Sequence, residues 1–198
     1  MTKLIAITGG IGAGKSTFSK EVLKRNLSLL DSDEEVAKIY KKPSKDFLKV
    51  LKETKLISSR NQKKINKKHI ANTVFSNNKT KKKLEKYIFK ILRLQRKDFI
   101  RKQKKLKKKI IFFDIPLLFE NKLNNEFDFI ISIVSLKKQR YSRVKKNKKI
   151  SKSLFNKIIK SQTTDKERKK KSDVVLKNNG KIDDYKKNIN RLLDKIIL

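Results

Sequence analysis

The chain contains no cysteine, so disulfide bridges and thiolate metal sites are excluded. It also has no run of 18 apolar residues, and a membrane-spanning helix is therefore not expected. The N-terminal stretch MTKLIAITGG reaches glycine too early for the apolar part of a signal peptide, which favours the cytoplasm. Hydrophobic residues make up 36% of the 198 residues, which is low but sufficient for one core.

Acidic residues are scarce, since 19 Asp and Glu stand against 56 Lys and Arg and the formal net charge is +37. Such a field attracts polyanions, so nucleic-acid binding is a function to consider. The excess is nearly all lysine and is spread along the chain, whereas arginine, the better reader of bases and phosphates, is scarce. We therefore favour a solvated lysine surface and expect no specific nucleic-acid partner.

Short apolar runs alternate with charged helical segments along the chain. The runs predict strands at residues 3–8, 26–30, 110–113, 127–134 and 174–176. Residues 44–109 are helical in pattern and contain no convincing strand. Strands that are separated by helices indicate an α/β fold with a parallel sheet and right-handed crossovers.

Residues 9–16, GGIGAGKS, match the phosphate-binding pattern G-x-x-x-x-G-K-[ST] in full and follow a predicted strand. The glycines let backbone N–H groups wrap a phosphate, and the next helix points its N-terminus at the same anion. We expect Lys15 to reach the β- and γ-phosphates and Ser16 to bind Mg²⁺. The strand–loop–helix context argues against a glycine-rich turn with an incidental lysine, and it predicts ATP as the donor.

Carboxylates follow two of the predicted strands, at Asp31 and Asp33 and again at Asp114. The carboxyl ends of strands line the ligand crevice of an open α/β sheet. We therefore predict that Asp33 accepts the proton of an acceptor hydroxyl and that Asp114 holds Mg²⁺ directly or through water. Alternatively, Asp31 or Asp33 only caps the following helix. If Asp33 is not the base, Asp31 is the next candidate.

The segment IPLLFE after Asp114 is too apolar for a free loop. Its apolar side chains either pack in a core, which is the more common outcome, or contact an organic substrate. Glu120 could bind substrate or cap a helix, and the spacing does not decide between these roles. The basic segment at residues 137–171 carries Arg140 and Arg143, which could place cations over the transferred phosphate. In so basic a chain an arginine on a helix is more often a surface residue.

Four segments in this order resemble the dephospho-CoA kinase family: TGGIGAGKST, LLDSDEEVAKIY, FFDIPLLFE and SDVVLKNNG. The resemblance covers essentially the whole chain and implies phosphorylation of the ribose 3′-hydroxyl of dephospho-CoA by ATP, the last step of coenzyme A biosynthesis. It implies a three-layer P-loop kinase fold with a five-stranded parallel sheet. The single domain would comprise a core at about 1–32, 109–136 and 172–198, a helical CoA-binding insertion at about 33–108 and a small helical lid at about 137–171.

The resemblance also assigns roles by position. It gives ATP binding to Gly12, Ala13, Gly14, Lys15, Ser16, Thr17, Asn178 and Gly180. It gives substrate binding to Thr8, Asp33, Leu117, Leu118, Phe119 and Glu120. The expected catalytic residues are Asp33, Lys15 and Arg143, and the expected Mg²⁺ ligands are Ser16 and Asp114.

The chain departs from the family pattern at three places. Lys67 replaces a usual arginine, Phe89 and Lys90 replace a usual His-Pro pair, and Asn147 stands where a second lid arginine is usual. Lysine keeps the charge of arginine but not its planar fork, so acceptor affinity could be reduced. The nearest alternative function is another nucleoside-monophosphate-type kinase. A basic nucleic-acid-binding P-loop protein is a more distant one, because the aromatic and zinc-finger patterns of such modules are missing.

Overall fold

The computed structural model describes residues 1–57, 65, 70, 73, 77–148 and 150–197. Contacts between these residues divide the chain into two compact units. The first unit comprises Met1–Asp31 and Arg101–Leu198, and the second comprises Ser32–Ile100. The second unit is therefore inserted in sequence between two parts of the first.

Five strands form the sheet of the first unit: β1 (Lys3–Gly9), β2 (Ser28–Asp31), β3 (Ile110–Asp114), β4 (Phe129–Val134) and β5 (Val174–Lys177). They run parallel in the order β2-β3-β1-β4-β5. The central strand β1 contains Ile5, Ala6 and Ile7, none of which is exposed, as expected for a parallel strand that is covered on both faces. The predicted five-stranded parallel sheet is confirmed.

The described residues contain eight α-helices and a short 3₁₀ turn at Asn124–Glu126. The helices are α1 (Lys15–Lys24), α2 (Ser32–Lys41), α3 (Lys45–Glu53), α4 (Asn78–Lys105), α5 (Lys137–Lys148), α6 (Lys152–Ser161), α7 (Asp165–Lys170) and α8 (Ile182–Ile197). Among the helices that the structure describes, none has the length and apolar character needed to cross a bilayer.

Helices α1 and α8 provide the apolar side chains that cover the sheet of the first unit. Phe18 and Val22 of α1 are fully buried, and so are Ile189 and Leu193 of α8. In both helices the pairs are four residues apart, so they lie on one face. This packing fixes the start of α1, and with it the end of the glycine-rich loop, against the central strand.

Two strands begin two residues later than predicted. The second strand begins at Ser28 instead of residue 26, because Asn26 has a φ of 54° and lies in the turn after α1. Asparagine tolerates this left-handed conformation, which no strand residue adopts. The fourth strand begins at Phe129, because Phe127 and Asp128 follow the 3₁₀ turn.

The basic segment at residues 137–171 forms three helices, α5, α6 and α7. Ser151 caps α6 by accepting the N–H of Leu154 at 3.2 Å. Thr164 and Glu167 form a reciprocal capping box at the start of α7. Each cap begins a new helix and so divides the segment.

The second unit is built from α2, α3 and most of α4, and its described residues contain no strand. The buried members of its apolar cluster are Ile39, Phe47, Leu51, Leu56, Ile70 and Leu84. The ring centroid of Phe47 lies 5.1 Å from that of Tyr40 in an edge contact and 5.6 Å from that of Tyr87 in a stacked one. An aromatic group therefore occupies the centre of this core.

Candidate active site

The glycine-rich loop at residues 9–16 joins the central strand to α1. The N–H of Ala13 donates to the carbonyl oxygen of Gly10 at 3.1 Å, and the Lys15 ammonium donates to that of Gly9 at 3.1 Å. Gly14 is the N-cap of α1 with a φ of 116°, a conformation that favours glycine. A Cβ at Gly14 would also collide with the side-chain amide of Asn178. Glycine is therefore required at this end of the loop.

Four consecutive carbonyl oxygens of the loop accept hydrogen bonds from distant side chains: Ile11 from Arg140 Nε at 2.8 Å, Gly12 from Arg143 Nη1 at 3.3 Å, Ala13 from Asn178 Nδ2 at 2.8 Å and Gly14 from the Tyr185 hydroxyl at 3.2 Å. In a planar trans peptide the next N–H points away from the carbonyl. Because these carbonyls are held outward, the N–H groups that follow them face the inside of the loop. Inward N–H groups of this kind form a cradle for a phosphate.

Three of these four donors are buried, with 5% of Arg140, 3% of Asn178 and 2% of Tyr185 exposed. Burial lowers the pKa of the Arg140 guanidinium, while nearby Asp165 raises it. Since the ordinary pKa of arginine lies far above neutrality, the group stays charged. Burial raises the pKa of the Tyr185 phenol above its usual range, so its hydroxyl stays protonated and donates to the loop.

Arg143 lies at the phosphate-binding loop. Besides Gly12, its guanidinium binds Ser135 Oγ at 3.0 Å and the backbone oxygen of Asn178 at 2.9 Å. Burial lowers the pKa of Arg143. Asn178 therefore contacts both the loop and this arginine, whereas Gly180 is exposed on the segment before α8. The structure thus brings Arg143 and Asn178 together with residues 12–14.

Two of the predicted carboxylates lie at the same edge of the sheet. Asp31 ends β2 and Asp114 ends β3, and the two residues are direct register partners. Ile7 of the central strand is the partner of Asp114 on the other side. Asp33 has an exposed side chain in the first turn of α2 and belongs to the second unit. The sheet therefore pairs Asp114 with Asp31, and Asp33 follows two residues later in the chain.

The groups near the start of α1 fit a magnesium ion that is shared with ATP. Ser16 has an exposed side chain, and Asp114 is 4% exposed and accepts the hydroxyl of Ser19 at 2.9 Å. Mg²⁺ prefers oxygen ligands and is usually held by one or two carboxylates together with substrate phosphates. Within the described parts of the chain, no three His, Cys, Asp or Glu residues gather closely enough to hold a metal by themselves.

The segment that follows β3 is mostly packed inside the first unit. Leu118 is completely buried and Phe119 is 7% exposed, whereas Leu117 is 38% exposed. Thr8 is also completely buried and donates to the backbone oxygen of Pro116 at 3.4 Å. Glu120 accepts the N–H of Thr163 at 2.6 Å and the Arg168 guanidinium at 3.1 Å. Of the residues predicted to contact the acceptor, Leu117 and Asp33 have exposed side chains.

The second unit contains a cavity of about 520 Å³ that is lined by residues of this unit. It is lined by Lys38, Ile39, Lys41, Lys42, Ser44, Tyr87, Ile91 and Gln95. Three ammonium groups and two hydroxyls beside apolar side chains suit an anionic molecule with an apolar part. Phe89 and Lys90 are exposed on α4, and Asn147 is exposed on α5. Lys67 lies outside the described residues.

Some residues of the site escaped the sequence analysis. Ser19 has a local signal, since it lies one helical turn after Lys15 and therefore on the same side of α1. Tyr185 was not predicted, because nothing near it in the sequence indicates its contact with Gly14. For Arg140 a surface position was favoured, and its burial corrects that expectation.

The family model described as dephospho-CoA kinase matches residues 3–184. The chain belongs to the dephospho-CoA kinase family. Among its relatives, a dephospho-CoA kinase of Fusobacterium nucleatum is 34% identical over 196 residues, which are 98% of each chain. The resemblance that the four sequence segments indicated is confirmed, and ATP is the phosphoryl donor of this family.

Solved structures show the same fold. The crystal structure of TT1252 from Thermus thermophilus has a TM-score of 0.81 at 23% identity and covers 98% of this chain and 97% of that one. A dephospho-CoA kinase from Campylobacter jejuni has a TM-score of 0.72 at 24% identity, with coverages of 99% and 98%. The α/β P-loop kinase fold predicted from the sequence is confirmed.

Proposed function

We propose that the chain transfers the γ-phosphoryl group of ATP to the ribose 3′-hydroxyl of dephospho-CoA, giving coenzyme A and ADP as the last step of coenzyme A biosynthesis. Its family membership supports this reaction. The structural observation that carries it is the phosphate-binding loop, whose four outward carbonyls are each held by a side chain. Such a preset loop binds phosphate without a reorganisation cost.

On the donor side, residues 12–17 bind the phosphates of ATP, in part through the inward N–H groups of the loop. Lys15 leaves the carbonyl oxygen of Gly9, 3.1 Å away, to contact the β- and γ-phosphates. Arg143 offsets charge on the transferred group, and its position beside Gly12 supports this role. Asn178 acts through the loop, because its side chain bonds Ala13, and exposed Gly180 lies beside the adenine.

On the acceptor side, Asp33 removes the proton from the 3′-hydroxyl. Its support is its exposed carboxylate, two residues beyond the strand end where Asp31 adjoins Asp114. Exposed Leu117 contacts the acceptor. The buried side chains of Leu118 and Phe119 hold the backbone of this segment in place. Thr8 and Glu120 hold the same segment through Pro116 and Thr163.

The proposed cofactor is Mg²⁺, held by Ser16 and Asp114. When bound, it would neutralise charge on the phosphates.

The whole chain is proposed to form one domain, with the insertion at about 33–108 binding the acceptor and the segment at about 137–171 acting as the lid. The lysine-lined cavity of the second unit supports an anionic acceptor there. We place the reaction in the cytoplasm, where an ATP-dependent kinase has its donor, and assign no nucleic-acid partner.

The test is an ADP-release assay with dephospho-CoA, AMP and CMP side by side at equal concentration. We expect turnover that depends on dephospho-CoA and exceeds turnover with either monophosphate by at least about 100-fold, because a site that bonds a particular acceptor rejects one that lacks its groups. Equal or faster turnover with AMP or CMP would assign the chain to the monophosphate kinases. RNA binding measured over a range of salt concentrations tests the nucleic-acid alternative. Weak binding that falls steeply with salt reflects charge alone, whereas sequence-dependent binding at physiological salt would support that alternative.

A further inference from the structure

Ile11 lies in the phosphate-binding loop, and both of its backbone polar groups bond to side chains of the segment at residues 137–171. Its N–H donates to Gln162 Oε1 at 3.0 Å, and its carbonyl oxygen accepts Arg140 Nε at 2.8 Å. In the peptide before Ile11, the carbonyl of Gly10 accepts the N–H of Ala13. The peptide planes on both sides of Ile11 are therefore fixed.

Gln162 is itself firmly placed. It is the C-cap of α6, and its N–H donates to the carbonyl oxygen of Ile159 at 3.2 Å. The next residue, Thr163, donates its N–H to Glu120 and accepts the Arg168 guanidinium at its carbonyl oxygen. The backbone that carries the Gln162 side chain is thus bonded on both sides, so the amide is held against the loop.

Charged side chains close the network around this connection. Arg168 is 1% exposed and pairs with Glu120 at 3.1 Å and with Asp165 at 3.3 Å. Asp165 also pairs with Arg140 at 3.5 Å. The contacts therefore form a closed ring through Glu120, Arg168, Asp165, Arg140, Ile11, Gln162 and Thr163. Buried charges require such partners, which makes the ring resistant to rearrangement.

We infer that Gln162 is a positioning residue for ATP binding, which acts through the N–H of Ile11, and that Glu120 and Arg168 act through Gln162. The inference rests on the proposed ATP site. It adds a role on the donor side for Glu120, which the proposed function placed in the segment on the acceptor side. Without the Gln162 carbonyl, the peptide before Ile11 keeps only the bond of its Gly10 oxygen to the N–H of Ala13, so the loop is held less firmly in the phosphate-binding conformation.

The experiment is the substitution Gln162→Met, which keeps the length of the side chain and removes the acceptor oxygen. We expect the Kd of ATP, measured by calorimetry without acceptor, to rise about tenfold, the scale of one lost hydrogen bond to a partly buried backbone donor. The KM of ATP rises with it, while the KM of dephospho-CoA stays within about twofold. The matched control is Gln103→Met, which loses a 2.7 Å hydrogen bond to Ser28 elsewhere in the same unit and leaves ATP binding unchanged.

A purely structural role for Gln162 would reduce the active fraction and leave both constants unchanged, which would overturn the inference. Glu120→Gln provides a second arm if the first variant does not fold. We expect it to raise the Kd of ATP about threefold, because the amide keeps one acceptor oxygen, and to leave the KM of dephospho-CoA unchanged. The opposite pattern would place Glu120 at the acceptor and contradict the proposal. The proposed function fails by a different result: the wild-type protein would bind ATP but would not turn over dephospho-CoA.

Discussion

The two units of the chain bury different kinds of side chain. Around the phosphate-binding loop the first unit buries Asp114, Arg140, Arg168 and Asn178, all of them hydrogen-bonded or ion-paired. The second unit also buries some polar groups, but its centre is the aromatic and aliphatic cluster around Phe47. Hydrogen bonds are directional, whereas hydrophobic contacts are not. Directional contacts are therefore concentrated where a backbone must present its N–H groups in one orientation.

The largest effect is expected from Lys15→Ala, which removes the one cation that belongs to the loop sequence. Turnover with dephospho-CoA should fall by at least about 10³-fold, because the charge that Lys15 brings to the β- and γ-phosphates is lost. The melting temperature should change little, because Lys15 is only half-buried and its bond to the Gly9 carbonyl stays within the loop. Coupled ADP-release kinetics and thermal unfolding measure the two quantities. Substantial residual turnover would show that the donor site lies elsewhere.

Asp33→Asn tests whether the second unit supplies the general base. The loss of a general base lowers kcat by roughly 10²–10⁴-fold. ATP binding should be unaffected, because Asp33 is assigned to the acceptor. The comparison variant is Asp31→Asn, and kcat together with the Kd of ATP should be measured for both. If Asp33→Asn keeps nearly the full rate while Asp31→Asn loses it, the base is Asp31.

Phe47→Ala tests whether packing alone holds the second unit. The side chain is completely buried between Tyr40 and Tyr87, so its removal should lower the free energy of unfolding by about 3–5 kcal/mol. Urea unfolding monitored by tyrosine fluorescence measures the change. A loss below about 1 kcal/mol would show that this core does not depend on its aromatic centre.

The smallest effect is expected from Tyr185→Phe, which removes one donor to the loop and leaves the ring in place. The hydroxyl bonds Gly14 at 3.2 Å, and its loss should cost about 1 kcal/mol of stability. Burial raises the pKa of Tyr185 in the folded state, so the unfolded chain ionises first near its ordinary pKa of about 10. The stability from the neutral phenol is present below that pH and is lost as the pH rises above it.

Unfolding of the wild type and of Tyr185→Phe at pH 8 and above pH 10 separates the two contributions. The difference between the proteins should shrink or reverse at alkaline pH, because phenylalanine does not titrate. A difference that is the same at both pH values would contradict the assignment of the alkaline loss to Tyr185.

Local patterns in the sequence predicted much of the sheet and the loop. The apolar run at residues 3–8 lies within the observed β1, and the glycine spacing of the loop predicted a turn that glycine alone can form at Gly14. The second strand was placed two residues too early, because the conformation of Asn26 depends on the turn and not on hydrophobicity. Patterns read within a few residues therefore predict elements better than their ends.

The contacts that shape the loop could not be predicted in the same way. Ile11 and Arg140 are separated by 129 residues, Ile11 and Gln162 by 151, and Gly14 and Tyr185 by 171. Such pairs depend on how the strands are ordered and where the helices pack, and a basic helix gives no sign of which arginine turns inward. The identities of the loop residues were therefore predictable, and the family resemblance supplied Arg143 and Asn178, whereas Gln162 and Tyr185 were not predicted.

The order of the strands also has a consequence for how the protein is made. The central strand β1 is synthesised first, but its neighbours are β3 and β4, which begin at Ile110 and Phe129. The last donors to the loop, Asn178 and Tyr185, leave the ribosome roughly 10 to 30 s after residue 16 at the usual rates of translation. A nascent chain thus carries its nucleotide-binding sequence long before that sequence is held in shape. ATP binding by this protein consequently reports that the C-terminal part has been made and has docked.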